Sequence, residues 1–328
     1  MRAAFYDRTG PAREVLQLGE IETPQPAPGQ VRVRLSASGV NPSDVKSRAG
    51  ARTRILPFPR IIPHSDGAGS IDAVGAGVSP ERVGQRVWIW NAAWGRPSGT
   101  AAQYVVLPEA QAVELPANIA MDAGACLGIP ALTAWHAVNV DGGVGGKTVL
   151  IAGGAGAVGH YAIQIARAMG ARRILTTISS PDKARLAVSA GADVAIDYRT
   201  EDAAARIAGE TEGGGVDRVI EVDFGVNVAL DAQAIRAEGD IVVYGSAAPE
   251  IAVPFVPMIL KNVRLRFFIV YNLSAADRTS AIAGLTDLLR RGRLVHNIAQ
   301  RLPLDRIAEA HELVEGGRAI GNVVLQID

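Results

Sequence analysis

The segment Gly154-Ala-Gly-Ala-Val-Gly159 constrains what this chain can fold into more than any other. It has the spacing G-x-G-x-x-G and lies between an apolar run, Thr148 to Ala152, and a stretch in which Val158, Ala162, Ile165, Ala166 and Met169 recur at helical spacing before Gly170. A strand that turns tightly into a helix presents the unsatisfied N–H groups of the helix start to anything bound there. Gly154 suits the tight turn, Gly156 the approach of a pyrophosphate to bare backbone, and Gly159 the close packing of helix on strand, with Ala155, Ala157 and Val158 between them. No Gly-Lys-Ser or Gly-Lys-Thr follows, so a nucleoside triphosphate P-loop gains no support.

From Lys147 onward strands and helices alternate. Thr148 to Ala152, Arg173 to Ile178, Asp193 to Asp197, Arg218 to Val222, Asp240 to Gly245 and Leu265 to Val270 read as six strands of a doubly wound parallel sheet. Upstream the texture differs. Val31-Arg-Val-Arg-Leu35 alternates apolar and charged residues after Pro24, Pro26, Pro28 and Gly29, the pattern of a half-buried strand. Gly67, Gly69, Gly75, Gly77 and Gly84 predict short extended pieces and turns between Ser65 and Val87. The texture changes near residues 122 to 130, and from about Leu294 it returns to short strands ending in Asn322-Val-Val-Leu-Gln-Ile327. With 328 residues the chain is long enough for two domains, an α/β unit and a β-rich unit that the tail is expected to rejoin.

Composition narrows the function classes. Thirty-three basic residues balance thirty-three acidic ones, so no net positive field holds nucleic acid nonspecifically. No apolar run approaches the ~20 residues that span a bilayer, and the opening residues lack the apolar core of a secretory signal; a cytoplasmic protein is expected. Cys126 is the single cysteine, which rules out an intrachain disulfide and any site built from several thiolates; its apolar setting reads as a small buried residue.

Cofactor choice is read about 20 residues past the glycine turn, where an acid would accept the ribose hydroxyls of NAD. That acid is missing. The chain reads Thr176-Thr-Ile-Ser-Ser-Pro-Asp-Lys183, with the Ser179 hydroxyl near the expected position and Lys183 in the first turn of the next helix. A hydroxyl and a cation accept a ribose phosphate that a carboxylate would repel, which favours NADPH. Asp182 reads as a helix-start acid behind the N-cap Ser180 and Pro181.

With these features in place, the whole chain resembles the zinc-independent medium-chain dehydrogenases/reductases, and among them NADPH:quinone oxidoreductases of the zeta-crystallin type. The likeness is carried by Gly39-Val-Asn-Pro-Ser-Asp44, Ile62-Pro-His-Ser-Asp-Gly-Ala-Gly69, Gly128-Ile-Pro-Ala-Leu-Thr-Ala-Trp135, the glycine turn and Ile196-Asp-Tyr-Arg199. It implies a GroES-like catalytic domain over residues 1–123, completed by 295–328, and a Rossmann NADPH-binding domain over 124–294. It adds Tyr198 to the phosphate pocket, Asn41 as a polar contact beside nicotinamide and substrate, and Thr133 near the carboxamide. Asn41 before Pro42 also reads as a turn residue, and Thr133 as a helix-packing one. Lys46 stands where relatives often carry tyrosine; it reads either as a donor to a developing oxyanion or as a solvated lysine, and Asp44 as a loop anchor.

Zinc-binding alcohol dehydrogenases, which are related, use a cysteine and a histidine in the segments matching the first two of these motifs. Here Ser38-Gly-Val-Asn-Pro-Ser-Asp44 has no thiol, Ser65 occupies the histidine position, and His64 is displaced by one residue. His64 is expected to line a cleft or pack against backbone, and the five histidines show no paired metal-ligand spacing. Trp90, Trp94, Phe58 and Tyr271 read equally as walls for a planar acceptor and as ordinary packing. The resemblance implies hydride transfer from NADPH to a quinone or activated alkene, in a chain expected to form a homodimer through the strand around Leu265 to Val270. Two alternatives stay open: a 2-alkenal or enoyl reductase, and a non-catalytic, crystallin-like NADPH-binding protein.

Overall fold

The computed structural model describes all residues except Arg52 and Arg54. Backbone contacts divide the chain into two units. One comprises Met1–Pro130, Thr286–Gly292 and His296–Asp328; the other comprises Ala131–Leu285 and Arg293–Val295.

In the second unit six parallel strands lie in the order Val194–Asp197, Arg173–Ile178, Thr148–Ile151, Val216–Glu221, Ile235–Val243, Arg264–Phe267. In chain order this is the 3-2-1-4-5-6 arrangement of a doubly wound sheet, and the direction of winding reverses between Thr148–Ile151 and Val216–Glu221. Every residue of Thr148–Ile151 is buried, as a parallel strand covered on both faces requires. Helices Ala157–Ala168, Pro181–Ser189, Ala203–Glu210, Phe224–Ala234 and Phe255–Leu260 supply the crossovers.

Two strand limits differ from the sequence reading by more than two residues. The last strand stops at Phe267, because its partner ends at Val243 and leaves nothing for Phe268 to Val270 to pair with along a ladder; Val270–Asn272 forms a 3-10 turn instead. The fifth strand begins earlier, at Ile235, and carries a register shift that places Glu238 at φ 58. Arg236-Ala-Glu-Gly239 has no apolar alternation, which is why this part was not readable as strand.

The other unit is built on a seven-stranded sheet in which Gln30–Val40 is the hub. It pairs antiparallel with Asp66–Val74, Tyr104–Pro108 and the tail strand Asn322–Gln326, which pairs in turn with Ile298–Pro303. Val31, Val33 and Leu35 face a core shared with Ile71, Val87, Ile89, Leu107, Val323 and Leu325. Arg32, on the other face, forms an ion pair with Asp72 at 2.9 Å. One expectation is corrected here: Asp66–Val74 is a continuous strand, not a series of short pieces. Its glycines mark close approach. A Cβ on Gly69 would lie 2.0 Å from the Arg34 carbonyl oxygen, beside a register shift in the facing strand.

The α/β unit contains a fully buried cation. The Arg218 guanidinium donates to Asp240 at 3.1 Å and to the carbonyls of Ala137, Val138 and Asp141, at the C-terminal end of helix Leu132–Asn139. Lys147 and Arg264 also pair with Asp240. Removing one partner of a buried pair leaves an uncompensated charge. Asp240→Asn is therefore expected to lower unfolding free energy by about 3 kcal/mol in urea titrations; a loss near zero would mean that the carbonyls alone satisfy Arg218.

Candidate functional site

The glycine turn lies at the point where the strand order reverses. Gly153 takes the left-handed conformation, φ 68, and its N–H donates to Thr177 Oγ1 at 3.1 Å. The tight turn is thus made by Gly153, where the sequence reading placed it at Gly154. Gly154 is needed for a different reason: a Cβ there would lie 2.1 Å from Thr176 Oγ1, which is held by its bond to the Ile151 carbonyl. A Cβ on Gly159 would lie 2.3 Å from the Gly153 carbonyl oxygen, so the helix can approach the strand only without one. Gly156 is the N-cap of helix Ala157–Ala168 and is exposed, whereas Ala155 is buried and Ala157 and Val158 are half-buried. The cradle fits a pyrophosphate: bare backbone, an exposed glycine and a helix amino end face the same space.

Two side chains meet at the end of the second strand, and the backbone of a third residue runs beside them. Lys183 Nζ donates to Ser179 Oγ at 2.8 Å, and the Tyr198 N–H donates to the Ile178 carbonyl at 3.2 Å, which sets Tyr198 beside Ser179. Ser179 is buried and Tyr198 is 54% exposed. Ser180 caps the helix by accepting from the Lys183 N–H at 3.3 Å, and Asp182 pairs with Arg185 of its own helix. Asp182 is therefore a helix-start acid. The Asp197 carboxylate turns into its own loop and accepts from the Arg199 N–H at 3.1 Å.

In the β-rich unit Asn41 is buried and is the N-cap of helix Pro42–Ala49, in a capping box with Asp44. Its N–H donates to the Asp44 carboxylate at 2.8 Å, and its side-chain amide donates to Asp66 at 3.0 Å. Asp44 is thus the loop anchor. Asp66 was not singled out in the sequence; it is fully buried, and burial, reinforced by the nearby Asp44 charge, pushes its carboxyl well above the ordinary range. Lys46 lies on the same helix and is exposed. Thr133, in the other unit, is buried on helix Leu132–Asn139. Phe58 packs against the cluster of Tyr6, Val15 and Ile61, and Tyr271 is buried, while Trp94 is 40% exposed. Cys126 is buried, and burial pushes its thiol up, so it is a packing residue.

Residues 27–117 match the alcohol dehydrogenase GroES-like domain family, and residues 157–289 match the family described as zinc-binding dehydrogenase. A human quinone oxidoreductase is 31% identical over 331 residues, covering 99% of this chain and 97% of its own. The chain belongs to the quinone oxidoreductase family of medium-chain dehydrogenases/reductases. It is an oxidoreductase of that superfamily with a pyridine-nucleotide-binding fold. A 2-haloacrylate reductase from Burkholderia sp is 30% identical, covering 99% of this chain and 98% of its own. Among solved structures, an NAD-dependent alcohol dehydrogenase superposes with a TM-score of 0.91 at 31% identity, with both chains fully covered. A mycobacterial protein complexed with NADPH superposes with a TM-score of 0.86 at 27% identity, covering 99% of both chains.

Ser38 and His64 belong to a buried hydrogen-bond chain. His64 is fully buried at φ 77. Its Nδ1 lies 2.8 Å from Ser38 Oγ, which lies 2.8 Å from Thr100 Oγ1, and Thr100 donates to the Asp66 carbonyl. His64 Nε2 lies 2.9 Å from His311 Nε2. His64 is therefore paired with a second imidazole 247 residues away, a partnership that no local spacing announced. Among the described residues, no group of three or more His, Cys, Asp and Glu side chains is arranged to hold a metal ion.

Proton counting orients this chain. A carbonyl only accepts, so the Thr100 proton is used on Asp66, Ser38 must donate to Thr100, and His64 must donate from Nδ1 to Ser38. Neutral His64 then accepts at Nε2 from His311, whose buried Nδ1 carries an unpartnered lone pair. Burial holds both imidazoles neutral, His64 down to about 3 and His311 well below its ordinary value. A native base with a lowered value binds fewer protons than the unfolded chain, so its contribution to stability is full above about pH 6.5 and is lost as pH falls toward about 3. Long-range proton–nitrogen spectra at neutral pH should show His64 as the Nδ1–H tautomer and His311 as the Nε2–H tautomer; the opposite pair would break the orientation.

Proposed function

We propose that this chain is an NADPH-dependent, zinc-independent quinone reductase. The observation that carries the cofactor choice is the group at the end of the second strand. Lys183 Nζ and Ser179 Oγ are 2.8 Å apart, Tyr198 lies beside them, and the one nearby helix-start acid is paired with Arg185. A hydroxyl, a cation and a phenol match a ribose 2′-phosphate, and the glycine turn with the start of helix Ala157–Ala168 matches the pyrophosphate. The NADPH complex of a structural relative supports the same reading.

Bound NADPH supplies a hydride to an electrophilic carbon or oxygen. The chain's own residues then have to hold, orient and stabilise. Asn41, fixed by Asp66 and Asp44, offers a rigid amide, and Thr133 offers a hydroxyl near the carboxamide. Lys46 offers an ammonium to the oxyanion that develops as a quinone accepts hydride. Zinc independence is supported by the commitment of Ser38 and His64 to one another and to Thr100 and His311. A homodimer is supported by the edge strand Arg264–Phe267 and its apolar surroundings, where Phe255, Leu260 and Phe267 are 68%, 78% and 60% exposed.

An activated alkene is the second acceptor class, favoured by the 2-haloacrylate reductase among the relatives. NADPH oxidation measured with a quinone panel beside an α,β-unsaturated carbonyl panel separates the two: turnover of quinones is expected, and turnover of alkenes alone would move the assignment. Lys183→Glu is expected to weaken NADPH by roughly thirtyfold, about 2 kcal/mol, with little change for NADH. Equal losses for both nucleotides would refute the phosphate pocket.

A further inference from the structure

Two acids meet inside the α/β unit. Glu221 is the last residue of strand Val216–Glu221, at the reversal of the sheet, and Asp231 lies on helix Phe224–Ala234; both are buried. Asn227, one helical turn before Asp231, donates to Glu221, which places the two acids side by side. Glu221 Oε1 accepts from the Asp223 N–H and from Asn227 Nδ2 at 2.9 Å, while Glu221 Oε2 and both oxygens of Asp231 receive no donor. Two adjacent carboxylates this deeply buried, three of their oxygens without a donor, do not both ionise, so one proton is shared. Asp231, which has no donor of its own, is the acid, and Glu221, with two donors, is the carboxylate. Burial and the Glu221 charge push Asp231 up to about 9. The other ionisable groups facing the pair are Asp223 and the half-buried Tyr244, while Lys261 is engaged with the carbonyls of Ala232, Gln233 and Ile235 at the end of the same helix.

The Glu221 carboxylate holds more than its acid partner. Glu221 draws in the Asp223 N–H and thereby closes the turn around Val222. The Asp223 carboxylate accepts from the Ala247 N–H at 2.9 Å, and the Tyr244 N–H donates to the Glu221 carbonyl at 3.1 Å, so the loops after two neighbouring strands are clamped together. They are close enough that a Cβ on Gly245 would lie 2.2 Å from the Val222 carbonyl oxygen. On its other side, Val222 Cγ1 comes within 3.5 Å of where a Cβ on Gly153 would stand. The acid pair thus braces a wall of the glycine turn.

We propose that Asp231 is a positioning residue: as a neutral acid it donates to Glu221, locks the Val222 turn against the glycine turn, and so sets the affinity for the dinucleotide. This rests on the reading that the glycine turn binds a pyridine dinucleotide, whichever of NADPH and NADH is preferred.

The test measures dissociation constants of the full chain for NADPH and NADH by fluorescence titration from about pH 7 to 10, with thermal melting alongside, for wild type, Asp231→Asn and Asp231→Ala. Asp231→Asn keeps a donor at every pH. It is expected to match wild type near pH 7, while wild type loses about tenfold relative to it by pH 10, as the shared proton leaves. Asp231→Ala is expected to weaken both nucleotides about tenfold near pH 7 while still folded at the assay temperature. If Asp231→Ala does not fold, the comparison of wild type with Asp231→Asn decides. Coincident wild-type and Asp231→Asn profiles would overturn the positioning role and leave dinucleotide binding intact; a wild type that binds neither nucleotide would overturn both.

Discussion

The α/β unit depends on how closely its first crossover helix approaches the strand before it. Gly159 sits so near the Gly153 carbonyl that no side chain fits between them, and Gly154 sits equally tightly on Thr176. That contact aims the first N–H groups of helix Ala157–Ala168 at the crevice where the sheet reverses. The phosphate pocket proposed at Ser179, Lys183 and Tyr198 would follow from the same winding, since the ends of the second and third strands lie side by side in register, Asp197 opposite Ile178. Val222 Cγ1 lies 3.5 Å from where a Cβ on Gly153 would stand.

The interior manages ionisable groups in two ways. Where a charge is kept, it is surrounded: Arg218 has a carboxylate and three carbonyls around it. Where no counter-charge is at hand, the group gives up its charge. His64 and His311 stay neutral and pass one directional chain of hydrogen bonds through Ser38 and Thr100, and Asp231 keeps its proton beside Glu221. The cost of an unpaired buried charge in a low dielectric accounts for both outcomes. In each case the arrangement fixes a neighbouring element: the Val222 turn for the acid pair, and the strand carrying Asp66 for the imidazole chain. Asp66 in turn orients Asn41.

Much of this was legible in the sequence, for local reasons. Six apolar runs separated by helical spacing identified the six strands, and the G-x-G-x-x-G segment identified the turn, because period and glycine placement are properties of neighbouring residues. Ser180, Pro181 and Asp182 announced a helix start that the Ser180 hydroxyl does cap. What escaped the sequence is non-local or depends on a single backbone angle. His64 and His311 are paired by tertiary packing across 247 positions. Gly67 and Gly69 read as strand breakers, yet lie within a strand where Leu35, Arg34 and Thr100 of other segments leave no room for a side chain. Gly153, just ahead of the motif, makes with its positive φ the tight turn that the motif alone assigned to Gly154. Glu221 and Asp231 were not singled out at all, because nothing local in the sequence shows that folding removes both from water.

The central claim is that Ser179, Lys183 and Tyr198 recognise a ribose phosphate beside the glycine turn. Calorimetric titration of the full chain with adenosine 2′,5′-bisphosphate and, separately, with adenosine 5′-monophosphate isolates that contact from the nicotinamide half of the cofactor. The account predicts binding of the bisphosphate at least tenfold tighter, competitive with NADPH. Equal affinity for the two fragments would contradict it.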